Sequence, residues 1–371
     1  MNILHFCSYY IGSKVYRCLF HNLSKNNVHS KVFIPIRSER HNGSNFILDD
    51  RIDLEYVRCL SFITRFFISF KIISVFFLSL LRERGSKNYD AVHAHTLYAD
   101  GISAYIFSLV KQQKLVITVR NTDVNLGFKF FKHYKWLVKK ALSYSDKIIF
   151  ISPAHIIKFR YYFGEEFDCK IILIPNGIED VYIENALDSK ANKMRLGTVR
   201  GLYIGSIDKN KNIESTILAF EKACLGMDWA LNIVGGNYSE YTEIYGKLSP
   251  GLLNKVNFIE RTEDFNLLLK FYDQSNVFVM PSFKETFGLV YLEAISRCIP
   301  VVYSSGQGID GVFEEGEVGY SCDPYSIDSI STAIQSVFKS FPLGLGPYHS
   351  NPSQEFSWEK ISLRYIREVY N

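Results

Sequence analysis

The chain has 371 residues, 47% apolar and 22% charged, with 29 Phe, 24 Tyr and a formal net charge of +4. That length fits two domains at about 100–200 residues each, and the composition excludes disordered, collagen-like and low-complexity classes. Seven scattered cysteines (Cys7, Cys18, Cys59, Cys169, Cys224, Cys298, Cys322) form no C-x-x-C pair, which argues against a disulfide scaffold or zinc ribbon and for a reducing compartment.

The opening MNILHFCSYY lacks the basic region and small-residue cleavage site of a signal peptide. Strands are expected at 2–7, 31–36, 90–95, 114–119, 147–152 and 170–175 in the first half. The second half offers 201–206, 229–234, 255–260, 276–280 and 299–303. Most are continuous apolar runs separated by helix-like segments, the pattern of parallel sheets covered on both faces. The most apolar stretch, Phe62 to Leu81, is interrupted by Arg65 and Lys71. Its uncharged part, Ile72 to Leu81, is about half of the roughly 20 residues that a transmembrane helix needs. A polar run between Ile183 and Arg200 marks a linker. The expectation is a cytoplasmic α/β chain of two doubly wound domains, with ligands in a cleft at the carboxyl ends of both sheets.

Charge divides unevenly. Residues 1–180 hold 25 Lys+Arg against 15 Asp+Glu, a balance of +10, and residues 181–371 hold 17 against 23, a balance of −6. The first half therefore suits an anionic partner. Five lysines (Lys129, Lys132, Lys135, Lys139, Lys140) interleave with aromatics in FKFFKHYKWLVKK (128–140), which fits an anionic membrane surface. Residues 60–83 read either as a buried helix or as part of the same docking face. No nucleic-acid recognition motif is present.

The densest chemistry lies in PSFKETFGLVYLEAISRCIPVV, residues 281–302. A strand ends at Pro281-Ser282, a loop carries Glu285, and a helix opens near Gly288. A helix N-terminus at a strand's carboxyl end presents free N–H groups and a positive dipole end suited to phosphate, and glycine allows close approach. Glu285 and Glu293 are poor phosphate ligands but good acceptors for sugar and ribose hydroxyls.

This stretch resembles the Glu-x7-Glu signature of retaining glycosyltransferases, in particular glycosyltransferase family 4, whose fold is GT-B. Further pieces follow that family's order: YYIGS (9–13), YDAVHAH (89–95), VITVRNTDV (117–125), SDKIIFIS (145–152), IPNGIED (174–180) and YIGSIDKNKNIE (203–214). The resemblance implies two Rossmann-like domains: an acceptor domain over 1–185, a nucleotide-sugar domain over 186–353, and a C-terminal helix over 354–371 packing back on the first. It implies Lys211 on the donor diphosphate, Glu293 on the ribose hydroxyls and Glu285 near the transferred sugar. Phe287, Gly288 and Leu289 would line the sugar-diphosphate, and Gly12 would approach it from the first domain. His95 is a catalytic candidate, with His93 turned into the protein. No metal cofactor is expected, because no D-x-D stands near a strand end and HAH lacks an adjacent acid or Cys.

Two positions depart from the family pattern. Ser206 stands where a diphosphate-binding Arg is expected, with Arg195, Arg200, Lys209 or Arg261 as substitutes. Arg120, followed by Asp123, stands where a His faces the donor sugar, and both are candidate substrate contacts. Gln307 and Asp310 also replace a common Gly and Glu. The expected activity is retaining transfer from a nucleotide-sugar, a UDP-sugar first, to a glycan acceptor on a lipid diphosphate in bacterial surface-polysaccharide assembly. The enzyme would sit at the inner face of the cytoplasmic membrane. The alternatives are a non-catalytic sugar- or partner-binding descendant and a UDP-sugar 2-epimerase.

Overall fold

The computed structural model describes residues 1–85, 88–184, 197–345 and 352–371. The sequence-predicted linker at 184–193 lies almost wholly outside them. The chain forms two compact units. The first comprises Met1–Ile151, His155–Gly177 and Trp358–Asn371, and the second Ser152–Ala154 and Ile178–Ser357. Apart from the three residues Ser152–Ala154, the chain changes unit at Gly177–Ile178 and returns at Ser357–Trp358.

The first unit holds seven strands: β1 (Asn2–Phe6), β2 (His29–Ile36), β3 (Ile52–Arg58), β4 (Ala91–Ala94), β5 (Leu115–Val119), β6 (Lys147–Phe150) and β7 (Ile171–Leu173). They lie in the order β3-β2-β1-β4-β5-β6-β7, every pairing parallel. Alternation along β1 explains the two cores. Leu4 and Phe6 face one cluster, with Val92, Ile117 and Phe150. Ile3 and Cys7 face the other, with Val32, Val116 and Ile149. The C-terminal helix belongs to this second cluster, where Trp358, Ile361, Tyr365 and Tyr370 are buried beside Leu19 and Phe20.

The second unit holds β8 (Val199–Ile204), β9 (Trp229–Val234), β10 (Val256–Ile259), β11 (Val277–Val279), β12 (Val301–Ser304) and β13 (Gly319–Cys322). Their order is β10-β9-β8-β11-β12-β13, again all parallel. In each sheet the strand order reverses direction beside the first strand, and loops diverge there to leave a crevice. The two strands not anticipated from sequence, β3 and β13, are edges of their sheets. Among the described residues no helix is long and apolar enough to cross a membrane.

Candidate functional site

In the second unit the site is built at the switch point between β8 and β11. After β8 the chain runs through Gly205 and Ser206 to a tight turn, Lys209–Lys211, capped by Asp208, whose Oδ1 accepts the Lys211 N–H at 3.1 Å. After β11 a loop carries Glu285. Lys211 Nζ donates to Glu285 Oε2 at 2.7 Å, with the two side chains 20% and 12% exposed. Glu285 is fixed further: its Oε1 accepts the Thr286 N–H, and its own N–H donates to Gln307 Oε1. Gly288 then opens the helix Leu289–Ser296 at φ +81°. A side chain there would be strained, and its Cβ would stand 2.3 Å from the Tyr291 ring, so only glycine fits. No side chain caps that helix end, which leaves its leading N–H groups and positive dipole end available to an anion. Lys211, Glu285 and Gly288 are therefore brought together as the sequence suggested.

Glu293 lies just over a turn into the same helix and accepts the Tyr272 hydroxyl at 2.8 Å. Burial raises its carboxyl to about 7, nearby Glu179 adds to that, and hydrogen bonds from Tyr272 and Tyr182 oppose it. Phe287 is buried against Phe356, and Leu289 is the first helical residue. Ser206 is exposed, and its Oγ donates to Asp208 Oδ2 at 2.6 Å. Of the substitute cations, Arg195 lies outside the described residues. Arg200 is at the amino end of β8, about 13 Å by strand rise from its carboxyl end, and is too remote for the site. Lys209 shares the turn with Lys211, and Arg261 follows β10, two strands from β8.

In the first unit, Gly12 ends the short turn Tyr10–Gly12. A Cβ there would meet open space and its φ is ordinary, so no local geometry demands glycine. His95 corrects an expectation. It is fully buried, packed on Tyr16 and Phe20, with Nε2 3.1 Å from His5 Nδ1. Burial holds its imidazole well below the usual range, so it is a neutral core group in this structure with no surface for substrate. His93 is also interior, held by the Tyr370 and Thr118 hydroxyls at 2.7 and 2.8 Å. His5, His93 and His95 place ligand atoms within 4.8 Å of one another, a grouping that HAH alone could not reveal. It suits a cation poorly. His93 spends both nitrogens on hydroxyls, and the Arg120 guanidinium shares the Tyr16 ring with His95.

Arg120 is 9% exposed, with its guanidinium carbon 4.7 Å from the Tyr16 ring centre. Asp123 is a clamp: its carboxylate accepts the N–H groups of Leu97, Tyr98 and Arg120, tying the β4 and β5 loops together. Burial raises it to about 6. Asp123 also lines a cavity of about 440 Å³ that sequence reasoning missed. Arg37, Lys71, Tyr9, Thr96 and Thr122 supply its polar wall, and Leu60, Ile68, Leu126, Phe130 and Phe131 its apolar one.

Helix Ile68–Arg82 flanks this cavity through Ile68 and Lys71, and buries Ile72, Val75 and Ser79. Its other face exposes Phe70, Ile73, Phe77 and Leu81, each between 50% and 58%, at spacings of three and four residues. The stretch is thus a helix buried on one face and apolar in solvent on the other. Across the cavity, Phe130 and Trp136 are exposed beside Lys129, Lys132 and Lys140, whereas Lys139 pairs with Glu166 and Lys135 covers the Tyr162 ring.

Comparison with known proteins agrees with these features. The family model for "Glycosyltransferase Family 4" matches residues 14–181, and that for "Glycosyl transferases group 1" matches residues 187–343. The N-acetyl-alpha-D-glucosaminyl L-malate synthase of Bacillus anthracis is 24% identical over 77% of this chain and 75% of its own length. A capsular polysaccharide biosynthesis glycosyltransferase of Staphylococcus aureus is 25% identical over 71% and 73%. Among solved structures, Anabaena HepE in complex with UDP superposes with a TM-score of 0.72 at 17% identity, covering 100% of this chain and 99% of that one. With two family models spanning both units and two parallel doubly wound sheets, the chain belongs to the family 4-type glycosyltransferases of GT-B fold.

Proposed function

We propose that this transferase moves a sugar, with retention, from a UDP-sugar to a glycan on a lipid diphosphate during surface-polysaccharide assembly. The observation that carries the reading is the Lys211–Glu285 pair at the glycine-opened helix end, with Glu293 beneath it. Lys211 and the helix N-terminus would hold the diphosphate and stabilise it as it leaves. Glu293 would accept the ribose hydroxyls and Glu285 those of the transferred sugar. The acceptor hydroxyl attacks the anomeric carbon on the face the diphosphate leaves. The new C–O bond forms as the sugar–phosphate bond breaks, and the hydroxyl proton passes to the departing phosphate oxygen. That course needs no protein base, consistent with the burial of His95.

The UDP complex of HepE supports a uridine donor, and the staphylococcal capsule enzyme supports a polysaccharide setting. The first unit supports the lipid-linked acceptor. Its cavity carries Arg37 and Lys71, and an exposed apolar stripe and basic aromatic segment flank it. Such a surface fits an anionic leaflet. Slow nucleotide release from a panel of UDP-, GDP- and dTDP-sugars tests the donor. Release from none of them would refute the transfer reading.

A further inference from the structure

At the carboxyl ends of β1, β4 and β5 in the first unit, Cys7, His95 and Arg120 follow their strands directly. Arg120 is nine-tenths buried there, yet its Nε and Nη2 atoms have no hydrogen-bond partner. A buried guanidinium without a partner is costly, and buried polar groups in folded proteins are almost always satisfied. The nearby acids do not satisfy it. Asp123 directs its oxygens at the backbone N–H groups of Leu97, Tyr98 and Arg120 itself, and Asp100 accepts from the hydroxyl and N–H of Ser8. The Tyr16 ring covers the guanidinium and offers a π face but no oxygen acceptor along the N–H directions. His95 beside the same ring also leaves Nδ1 unpartnered. Nε–H and Nη2–H of one guanidinium form a fork that matches two oxygens of a carboxylate or phosphate. Arg120 also begins the loop whose Thr122 and Asp123 line the cavity.

We infer that Arg120 is a specificity-determining residue that takes an anionic oxyacid group, a carboxylate or a phosphate, on one of the sugar substrates. The inference rests on the reading of the protein as a sugar transferase and adds that the sugar part of one substrate carries an acid of its own, apart from the diphosphates that donor and acceptor already hold. A neutral sugar would leave the fork unsatisfied, whereas an acidic one completes it.

The test uses paired probes that differ in the acid, titrated calorimetrically into the full chain and into Arg120→Gln. UDP-glucuronate is set against UDP-glucose for the donor. Glucuronate and glucose 6-phosphate are set against glucose for the acceptor, and UDP alone serves as reference for a folded second unit. In at least one pair the acidic member binds about ten times more tightly than its neutral counterpart, as a charge-assisted pair of hydrogen bonds allows. Arg120→Gln abolishes that preference, and Arg120→Lys, which keeps the charge without the fork, retains only part of it. The pair that shows the preference separates carboxylate from phosphate and donor from acceptor. Equal affinities across all pairs in the wild-type chain overturn the inference, and so does a preference that survives Arg120→Gln. If Arg120→Gln does not fold, the wild-type comparison and Arg120→Lys decide. Failure of UDP itself to bind would count against the nucleotide-sugar reading, while the free acids still test Arg120.

Discussion

Glu293 should trade stability for ligand binding, and the trade should depend on pH. Its carboxyl is raised from 4.5 to about 7 by burial beneath Tyr272 and Tyr182. Holding it ionised in the folded protein therefore costs about 3 kcal/mol. Below about pH 4.5 both folded and unfolded chains carry the proton, and Glu293 imposes no penalty. As pH rises towards 7, the unfolded carboxyl loses its proton while the folded one keeps it, so stability falls, and above about 7 the whole penalty applies. Glu293→Gln removes the titration. The new amide must find its own partners, at about 1 kcal/mol. The variant should then be about 1 kcal/mol less stable than wild type near pH 4.5 and about 2 kcal/mol more stable near pH 8. The same variant should bind UDP about ten- to a hundredfold more weakly at pH 8, because a charge-assisted hydrogen bond contributes about 1.5–3 kcal/mol. Urea unfolding at the two pH values and calorimetry with UDP read both effects. A stability difference that ignores pH would refute the burial argument, and unchanged UDP affinity would refute the ribose role.

The other expectations are simpler. Glu285→Gln should lower turnover by more than tenfold while leaving UDP affinity the same or higher, since it frees Lys211 from its 2.7 Å partner; a loss of UDP affinity equal to that of Glu293→Gln would reject the separate roles. Ser206→Arg should be tolerated beside Asp208 and should tighten UDP-sugar binding by about 0.5–1 kcal/mol. Weaker binding would mean that a cation such as Lys209 already fills the place. In co-sedimentation with vesicles, the protein should need anionic lipid and detach at high salt, each exposed lysine contributing about 1 kcal/mol at most. Joint substitution of Lys129, Lys132 and Lys140 by Glu should abolish binding, whereas Lys139→Gln, at a lysine already paired with Glu166, should weaken it less. Protein left in the supernatant at low salt would reject membrane attachment.

Eleven strands were legible: nine lie inside their sheets, where burial on both faces forces continuous apolar runs, and the edges β7 and β10 keep enough apolar residues to read the same way. β3, with Asp53, Glu55 and Arg58, and β13, with the sequence GYSC, were not. Both are edge strands with one neighbour and partial cover, where polar residues are tolerated, although the edges β7 and β10 keep their apolar residues. Glu285, Lys211 and Gly288 were legible for a different reason. Lys211 and Glu285 were singled out by the order of the family-like motifs that carry them, and Gly288 has a local reason as well, its φ of +81° and the Tyr291 ring against it. His95 was misread because its cover comes from afar. Tyr16 and Phe20 close over it from the helix after β1, and its neighbour His93 is capped by Tyr370, 277 residues along the chain. Nothing local in HAH announces that cover. The exposed stripe of helix Ile68–Arg82 was ambiguous for the same reason, since apolar residues lie on both its faces and only packing shows which are covered.

The two halves differ in charge, and the structure gives that difference a local meaning. Each unit gathers its polar groups at the same place, the carboxyl ends of strands beside a switch point, where parallel crossovers bring distant residues together. Lys211 and Glu285 are 74 residues apart in sequence and 2.7 Å apart in space. In the second unit the cation already has an acidic partner, so a diphosphate bound as proposed would compete with Glu285 for it. In the first unit Arg120 has none, and the acids around it are spent on backbone amides and the Ser8 hydroxyl. A paired cation can exchange partners as charge develops on a leaving group, which suits the chemical step. An unpaired buried cation has only one way to be satisfied, which suits recognition. On the proposed roles, the same kind of strand-end loop would serve two tasks, and the two loops differ in whether a carboxylate partners the cation.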